Sequence, residues 1–255
     1  MSPTPSSPFY GRVALVTGGA ASLGLAIVRK LAGLGAAMVI ADRDIAGARR
    51  LEEELARDGN RALAIEADVT SAESLDRMLA LALERFGQID CLVNNAGVLG
   101  PVKPLWETTT ADLDRVFDVN VRAVFTCTRK VVAHMMQRRS GSIVTIASIA
   151  GKEGPMNLSI YSSTKGAMIA ATKSWAKELA AFGVRVNCVS PSLIDASGMQ
   201  TALPGIFSVD SISRIPLGRP ARADEVANIV AFLLSDEASF VTAACYDVSG
   251  GRSSY

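Results

Sequence analysis

Tyr161 and Lys165 lie four positions apart in a stretch that is predicted to be helical. In a helix, side chains at this spacing share one face, so a phenol and an ammonium would lie one turn apart. A tyrosine normally keeps its proton to about pH 10, and a cation within about 4–6 Å favours the phenolate. Such a phenol can accept the proton of an alcohol while a hydride leaves the same carbon. The pair therefore predicts acid–base chemistry at a C–OH group.

A turn of small residues with the sequence TGGAASLG occupies positions 17–24, between a predicted strand and a predicted helix. Backbone N–H groups in such a turn, together with the helix N-terminus, can bind a pyrophosphate. The glycine spacing differs from G-x-G-x-x-G, so an ordinary strand-to-helix turn remains an alternative.

Asp42 ends the next predicted strand. A carboxylate there can accept hydrogen bonds from both ribose hydroxyls of an adenosine and would repel a 2′-phosphate. This predicts NAD rather than NADP as the cofactor. Two alternatives remain, because Asp42 could merely cap the following helix and the neighbouring Arg43 could soften the discrimination.

The chain has 255 residues, of which 49% are hydrophobic and 20% are charged. This size and composition suit one large α/β domain with a substantial core. The 26 basic and 25 acidic residues nearly balance, so the charge gives no reason to expect nucleic acid or an anionic membrane as a partner. We therefore expect a small-molecule partner.

The four cysteines are far apart in the sequence and lack metal-ligand spacing, which predicts structural thiols and no metal site: Cys91, Cys127, Cys188 and Cys245. No segment reaches the roughly 18 apolar residues of a membrane span. The Pro/Ser-rich start lacks the basic and apolar regions of a signal peptide, which predicts a cytoplasmic protein. Residues 1–9 are expected to form a disordered tail, because they have little to bury.

Short apolar runs alternate with longer amphipathic stretches over the rest of the chain, which is the pattern of a parallel sheet with helices on both faces. The predicted strands are Arg12–Thr17, Ala37–Asp42, Arg61–Glu66, Asp90–Asn94, Ser142–Ala147, Val184–Ser190 and Ala244–Val248. The predicted helices lie near 23–34, 44–58, 72–86, 112–138, 160–181 and 222–235. The predicted fold class is thus α/β, a single-domain, Rossmann-type doubly wound parallel sheet of seven strands. The helix at 112–138 has apolar residues on two sides, which suggests a partner subunit and a homotetramer, or at least a dimer.

The order of several short motifs closely resembles the short-chain dehydrogenase/reductase family. These motifs are Thr-Gly-x-x-x-x-x-Gly at 17–24, Asp68-Val69, Asn94-Asn95-Ala96-Gly97, Asn120, Ser148, Tyr161-x-x-x-Lys165 and Pro191. The gap of 13 residues between Ser148 and Tyr161 is also similar to the family's pattern. The resemblance extends from Arg12 to Gly251 and implies one NAD-binding dehydrogenase domain over residues 10–255.

The resemblance implies four catalytic residues. Tyr161 would be the acid/base, and Lys165 would lower its pKa and hold the nicotinamide ribose. Ser148 would hydrogen-bond the reacting oxygen. Asn120 would interrupt its helix and hold a water that links Lys165 to solvent.

The resemblance also implies a set of cofactor-binding residues along the carboxyl ends of the strands. Asp68 would bond the adenine amino group with Val69 packed nearby, and Asn94, Ala96 and Gly97 would line the adenosine ribose and support the central sheet. The full set is Gly18, Ser22, Leu23, Gly24, Asp42, Arg43, Asp68, Val69, Asn94, Ala96, Gly97, Tyr161, Lys165, Pro191 and Ile194.

Four positions depart from the family's usual pattern. Ser22 replaces a glycine in the turn, so a positive φ there would cost strain. Ser192 replaces a glycine, Ala196 replaces a threonine that contacts the cofactor, and Ser249 replaces an aspartate. The departures at Ser22, Ala196 and Ser249 leave open a nucleotide sensor or scaffold that kept the fold and lost turnover. The retention of Ser148, Tyr161, Lys165 and Asn120 argues against it.

The implied reaction is NAD-dependent interconversion of a secondary alcohol and a ketone. The segment 149–158 follows Ser148 and contains Lys152, Glu153 and Asn157, which suit a sugar, a sugar acid or a polyol. A 3-oxoacyl thioester or another apolar ketone is the alternative, because Met199, Leu203, Ile206 and Phe207 could form an apolar wall or a lid. Lys152 and Glu153 could also simply face solvent.

Overall fold

The computed structural model describes residues 7–195 and 209–253. The strands are β1 (Val13–Thr17), β2 (Ala37–Asp42), β3 (Ala62–Glu66), β4 (Cys91–Asn94), β5 (Gly141–Ile146), β6 (Val184–Pro191), β7 (Ile194–Asp195), β8 (Ala221–Arg222) and β9 (Cys245–Val248). Seven of the described strands form a parallel sheet in the order β3-β2-β1-β4-β5-β6-β9, and β7 pairs with β8. All seven predicted strands of the main sheet are confirmed within one residue at each end.

The helices are α1 (Ser22–Gly33), α2 (Ile45–Arg57), α3 (Ala72–Phe86), α4 (Thr110–Phe117), α5 (Ala123–Arg138), α6 (Ala150–Glu153), α7 (Ser159–Leu179), α8 (Val209–Ser213) and α9 (Ala223–Leu234). One predicted helix, 112–138, differs, because a π-helical segment at Asp118–Arg122 separates α4 from α5. The short helices α6 and α8 were not predicted. Among the described helices, none is long and apolar enough to cross a lipid bilayer.

The sheet is doubly wound, with one hydrophobic core on each face. Ala14 and Val16 of β1 pack in the first core with α1, α2 and α9, and Val13 and Leu15 pack in the second with α3, α5 and α7. Alternate residues of a strand point to opposite faces, and a strand covered on both faces is therefore apolar throughout. The predicted fold class is confirmed.

The packed part of the chain begins before Tyr10. Phe9 is 1% exposed and lies in the first core, and its N–H donates to the Leu34 oxygen at 3.0 Å. The predicted tail of residues 1–9 therefore extends too far, because an aromatic ring buries a large apolar area. Residues 1–6 lie outside the described residues.

Three of the four cysteines are buried in the sheet or its flanking helices, as expected of structural thiols. Cys245 differs because it is half-buried, lies in register with Cys188 of β6, and has its sulfur 3.1 Å from the Ser190 hydroxyl. A hydrogen bond with Cys188 lowers the pKa of Cys245. Within residues 7–195 and 209–253, no group of three or more His, Cys, Asp or Glu side chains could hold a metal ion.

The strand order reverses between β1 and β4, so the connections that leave these strands turn in opposite directions. In open α/β sheets a crevice forms at this point, outside the carboxyl ends of the strands. The predicted motifs at 17–24 and 94–97 directly follow these two strands.

Candidate active site

A cavity of about 580 Å³ lies at the carboxyl ends of the central strands. Many predicted site residues line it: Gly18, Ser22, Leu23, Gly24, Ala96, Gly97, Ser148, Tyr161, Lys165, Pro191 and Ile194. Asp42, Arg43, Asp68, Val69, Asn94 and Asn120 lie outside its lining. The structure thus brings the turn and the Ser148, Tyr161 and Lys165 side chains to one space.

The turn between β1 and α1 depends on glycine at two positions. Gly18 has a φ of +63°, and a Cβ on Gly24 would lie 1.9 Å from the Gly18 oxygen. The Asn95 amide donates to the oxygens of Thr17 (3.0 Å) and Gly18 (2.8 Å). The Thr17 hydroxyl accepts in return from the N–H groups of Asn95 and Ala96, at 3.1 and 3.2 Å. These bonds join the turn to the loop after β4.

Ser22 adopts the strained conformation that its position in the turn would require. Its φ is +49°, in the left-handed region, where a residue with a Cβ is unfavourable by about 1–2 kcal/mol. Ala21 is the N-cap of α1 and supplies no side-chain acceptor. The first N–H groups of α1 are therefore available to an anion in the adjoining cavity.

The carboxylate of Asp42 holds the backbone around the turn. One oxygen accepts from the Ala20 N–H at 2.9 Å and the other from the Asp44 N–H at 3.0 Å. Asp42 is not the cap of α2, because Asp44 is the N-cap and accepts from the Gly47 N–H at 2.9 Å. A carboxylate oxygen has two lone pairs, so each Asp42 oxygen can accept a second hydrogen bond from a ribose hydroxyl.

Asp68 and Arg43 lie near each other beyond the ends of β2 and β3. The hydroxyl and N–H of Thr70 donate to Asp68 and lower the pKa of its carboxyl, and the nearby charge of Arg43 lowers it further. Arg43 itself is exposed. Neither side chain lines the cavity, and both follow strands at the edge of the sheet where Asp42 ends β2.

Ser148 follows β5, and Tyr161 and Lys165 lie on α7. Ser148 is hydrogen-bonded to the Tyr161 side chain and also accepts from the Ala150 N–H at 3.1 Å. The Lys165 ammonium donates to the Ile146 oxygen at 2.7 Å and lies 5.7 Å from the centroid of the Tyr161 ring. A hydroxyl, a phenol and an ammonium thus converge on one wall of the cavity.

Burial controls the protonation of Tyr161 and Lys165. It raises the pKa of Tyr161, which the hydrogen bond with Ser148 partly offsets, and it lowers the pKa of Lys165 to about 8. The expectation that Lys165 lowers the pKa of Tyr161 is not met in this geometry, because desolvation of the phenolate outweighs any attraction by the ammonium. At neutral pH both groups keep their protons.

The side chain of Asn120, 1% exposed, lies in the π-helical segment and clamps the loop after β4. Its oxygen accepts from the Val98 N–H and its nitrogen donates to the Val98 oxygen, both at 2.8 Å. The second amide hydrogen goes to the Thr164 hydroxyl at 3.1 Å. Both amide hydrogens are therefore engaged, and the interrupted helix that the resemblance implied is present.

Asn94 is not part of the cavity lining. Its side chain is buried and donates to the hydroxyls of Thr128 (2.9 Å) and Thr145 (3.4 Å). These bonds join β4 to α5 and β5, which supports the sheet.

Lys152 and Glu153 do not reach the cavity, contrary to expectation. The Lys152 ammonium pairs with Asp247 at 2.9 Å, and Glu153 pairs with Arg252 at 2.8 Å. The two pairs join the segment after Ser148 to the chain that follows β9. Asn157 does line the cavity.

Two of the remaining departures, Ser192 and Ser249, lie within the described residues. The Ser192 hydroxyl is buried and makes no hydrogen bond among the described residues, although Ser192 lines the cavity. The Ser249 hydroxyl accepts from the Ser253 N–H at 3.1 Å. Ala196, Met199, Leu203, Ile206 and Phe207 lie outside the described residues.

Sequence reasoning missed Thr17, Asn95 and Thr164 as parts of the site. From the sequence, Thr17 and Asn95 were named only as members of family motifs, without a role of their own. Their hydrogen bonds join the turn after β1 to the loop after β4. The available signal for these two was position, since Thr17 ends β1 and Asn95 follows β4 at the reversal of strand order; Thr164, inside α7, has no such signal.

The chain is similar to known oxidoreductases. A family model described as enoyl-(acyl carrier protein) reductase matches residues 18–253. Cis-4-hydroxycyclohexanecarboxylate dehydrogenase of Sinomonas cyclohexanicum is 41% identical over 95% of this chain and 97% of that protein. 2-Dehydro-3-deoxy-L-rhamnonate dehydrogenase (NAD(+)) of Sphingomonas sp. (strain SKA58) is 36% identical over 97% of each chain. A crystal structure of NAD⁺-bound xylitol dehydrogenase has a TM-score of 0.91 at 33% identity, and covers 95% of this chain and 99% of that one.

Proposed function

The chain belongs to the short-chain dehydrogenase/reductase family, and we propose that it is an NAD-dependent dehydrogenase that interconverts a secondary alcohol and a ketone. The observation that carries this proposal is the meeting of Ser148, Tyr161 and Lys165 in the cavity beside the α1 turn. In ketone reduction the protonated Tyr161 gives its proton to the substrate oxygen, which Ser148 holds by a hydrogen bond. In alcohol oxidation the deprotonated form of Tyr161 takes the hydroxyl proton, and because burial raises the pKa of Tyr161 this direction is favoured by high pH.

The residues around the cavity fit a dinucleotide. Gly24 lets the first turn of α1 lie close against the Gly18 oxygen, because a Cβ there would be 1.9 Å from that oxygen. The α1 N–H groups suit a pyrophosphate, Asp42 suits a ribose, and the unpartnered Ser192 hydroxyl suits a carboxamide. NAD supplies or accepts the hydride when bound. The NAD named for the rhamnonate and xylitol relatives favours the same cofactor here.

The first test is formation of NADH from a panel of secondary alcohols, followed at 340 nm, with purified wild type and Tyr161→Phe. We expect the variant to lose at least about 100-fold in kcat, because general acid–base catalysis is typically worth 10²–10⁴-fold. NADH affinity, measured by fluorescence titration, should stay within a few-fold. NADH binding without turnover of any alcohol by the wild type would instead favour a nucleotide sensor.

The substrate that the cavity favours has a largely apolar carbon skeleton. Apolar side chains from three segments form much of the wall: Val98, Leu99, Val102, Ile149, Met156, Leu158 and Leu193. Lys152 and Glu153, on which a polyhydroxylated substrate would depend, are occupied by ion pairs elsewhere. The cyclohexane ring in the name of one relative's substrate is consistent with such a wall.

A sugar, sugar acid or polyol remains the second candidate, supported by Asn157 in the lining and by the names of the rhamnonate and xylitol relatives. Initial-rate series on cyclic alcohols and on polyols would separate the two candidates. In a site built to hydrogen-bond hydroxyls, each polar group that is left unpaired costs about 1–3 kcal/mol of binding free energy. A polyol site would therefore reject cyclohexanols strongly.

We also propose a homotetramer assembled through α5 and α7. Phe125 on α5 is 45% exposed and meets Trp175 on α7 edge-on, with ring centroids 4.7 Å apart. Trp175 packs against a small apolar cluster formed by Val124, Met168 and Ala171. Light scattering should give a multiple of 26.8 kDa, and Phe125→Glu should lower it. A wild-type monomer at micromolar concentration would exclude this assembly.

A further inference from the structure

The charged side chains that line the cavity are cationic. Among the described residues the lining contains Lys165 and Arg252 but neither Asp nor Glu. Lys165 is committed to the Ile146 carbonyl beside Tyr161. Arg252, which lies beyond β9, has no part in the proposed proton transfer.

Arg252 is held in one orientation. Its side chain is 11% exposed, and its Nε and Nη2 donate to Oε2 of Glu153 at 3.2 and 2.8 Å. Glu153 ends α6, the helix that begins two residues after Ser148. The guanidinium is therefore fixed to the same segment that carries Ser148.

One hydrogen-bonding edge of this guanidinium remains free. A guanidinium has five N–H donors and can bind one carboxylate through Nε and Nη2 and another through the Nη1 and Nη2 end. Glu153 occupies the first edge, and Nη1 makes no hydrogen bond with any described residue. A nearly buried cation with an unused fork, in the lining of a substrate cavity, is suited to a second anion.

We propose that Arg252 anchors the carboxylate of the substrate, so that the enzyme acts on hydroxy acids and oxo acids in their anionic form. The anchor rests on the proposed function, because the same cavity must hold the alcohol at Tyr161. It adds a charge-selective subsite to that function. A sulfonate has the same charge and acceptor oxygens and fits the same fork.

The test compares probe compounds of equal shape that differ in charge. Turnover is measured with the 3- and 4-isomers of hydroxycyclohexanecarboxylate and with their neutral carboxamides. Binding is measured by calorimetry with cyclohexanecarboxylate and cyclohexanecarboxamide in the presence of NADH. The binding arm does not depend on turnover, so it tests the anchor even if no alcohol is oxidised.

We expect the wild type to prefer the acid of at least one isomer pair, and to bind cyclohexanecarboxylate more tightly than its amide. Arg252→Gln should weaken the binding of cyclohexanecarboxylate by roughly 10- to 100-fold, the range for hydrogen bonds to a charged group. The binding affinity of the amide should change less than threefold in this variant. Arg252→Lys should restore part of the preference for the acid over the amide, because it returns the charge without the forked pair of N–H donors.

Glu153→Gln is the matched control, because it removes the partner of Arg252 and keeps the cation. It should retain the carboxylate preference, whereas a purely structural ion pair would make Glu153→Gln and Arg252→Gln equally harmful to acid and amide. If Arg252→Gln alone does not fold, the double variant with Glu153→Gln replaces the ion pair by two amides. Equal wild-type binding of acid and amide, or equal losses for both in Arg252→Gln, would overturn the anchor. Absence of NADH formation from every alcohol would instead count against the proposed function.

Discussion

Replacing Asp42 by alanine should affect both folding and the choice of cofactor. The side chain accepts from two backbone N–H groups, those of Ala20 and Asp44, at 2.9 and 3.0 Å. Hydrogen bonds to a charged group are worth about 1.5–3 kcal/mol each, but the exposed Asp44 N–H can turn to water. We therefore expect Asp42→Ala to lower the free energy of unfolding by about 2 kcal/mol, which corresponds to a melting temperature about 4–8 °C lower.

The effect on the use of the cofactor should be of similar size in free energy. Asp42→Ala removes the acceptor for the ribose hydroxyls and the charge that repels a 2′-phosphate. The kcat/KM for NAD should fall by roughly 10- to 100-fold, as expected for loss of charge-assisted hydrogen bonds. The kcat/KM for NADP should stay constant or rise, so the wild-type preference for NAD should collapse or reverse.

Asp44→Ala is the matched control. It loses the N-cap of α2, whose oxygen accepts from the Gly47 N–H, and should cost about 1 kcal/mol of stability. It should leave the ratio of kcat/KM for NAD to kcat/KM for NADP unchanged. Melting curves without nucleotide and initial rates with each nucleotide measure both effects. If Asp42→Ala kept the NAD preference of Asp44→Ala, the ribose role of Asp42 would be refuted, and equal use of NAD and NADP by the wild type would show that Arg43 neutralises it.

Three further predictions concern the turn and the thiols. Gly24→Ala should destabilise the protein by about 1–3 kcal/mol and weaken NADH binding, since its Cβ would lie 1.9 Å from a backbone oxygen. In the control Gly33→Ala, the added Cβ meets open space in the same helix, so thermal melting should show a neutral or stabilising effect. Ser22→Gly should raise the melting temperature, because it relieves a φ of +49°; an unchanged or lower value would mean that the Ser22 backbone carries no net strain. Iodoacetamide at pH 7.5 should label Cys245 before Cys91. The pKa of Cys245 is lowered by a neighbouring thiol, whereas burial raises the pKa of Cys91 to about 12. Mass spectrometry of the labelled peptides measures the order, and earlier labelling of Cys91 would contradict the prediction.

The elements that could be predicted from the sequence are those with local signals at both ends. Helix α3 starts and stops where predicted because Ser71 caps its N-terminus and Gly87 ends it in a left-handed conformation. Strand β2 is an apolar run that Asp42 ends. The break in the helix at 112–138 has no such local signal, and only the family resemblance at Asn120 indicated it. It depends on the contact of Asn120 with Val98, which only the folded chain creates.

In the site, too, the features set by motif order could be predicted, and the contacts with residues far along the chain could not. The sequence order placed Ser148, Tyr161 and Lys165 correctly at one cavity, because motifs that follow parallel strands meet at one edge of the sheet. The partners of Lys152 and Glu153 could not be foreseen, since they lie 95 and 99 residues away along the chain. A polyhydroxylated substrate therefore loses the two side-chain contacts on which its prediction from the sequence depended.

The burial of Lys165 has a consequence for the pH dependence of cofactor binding. Desolvation lowers its pKa to about 8, well below the usual lysine value of about 10.4, so its ammonium is present at pH 7 and is lost as the pH rises through 8. If that ammonium contacts the bound nucleotide, the dissociation constant for NADH should rise about tenfold between pH 7 and pH 9, by linkage between proton and ligand. Lys165→Met should bind NADH more weakly at pH 7 and show little change over this range. Fluorescence titration of both proteins measures this, and a wild-type dissociation constant that stayed flat to pH 9 would show that the Lys165 charge does not contribute to NADH binding.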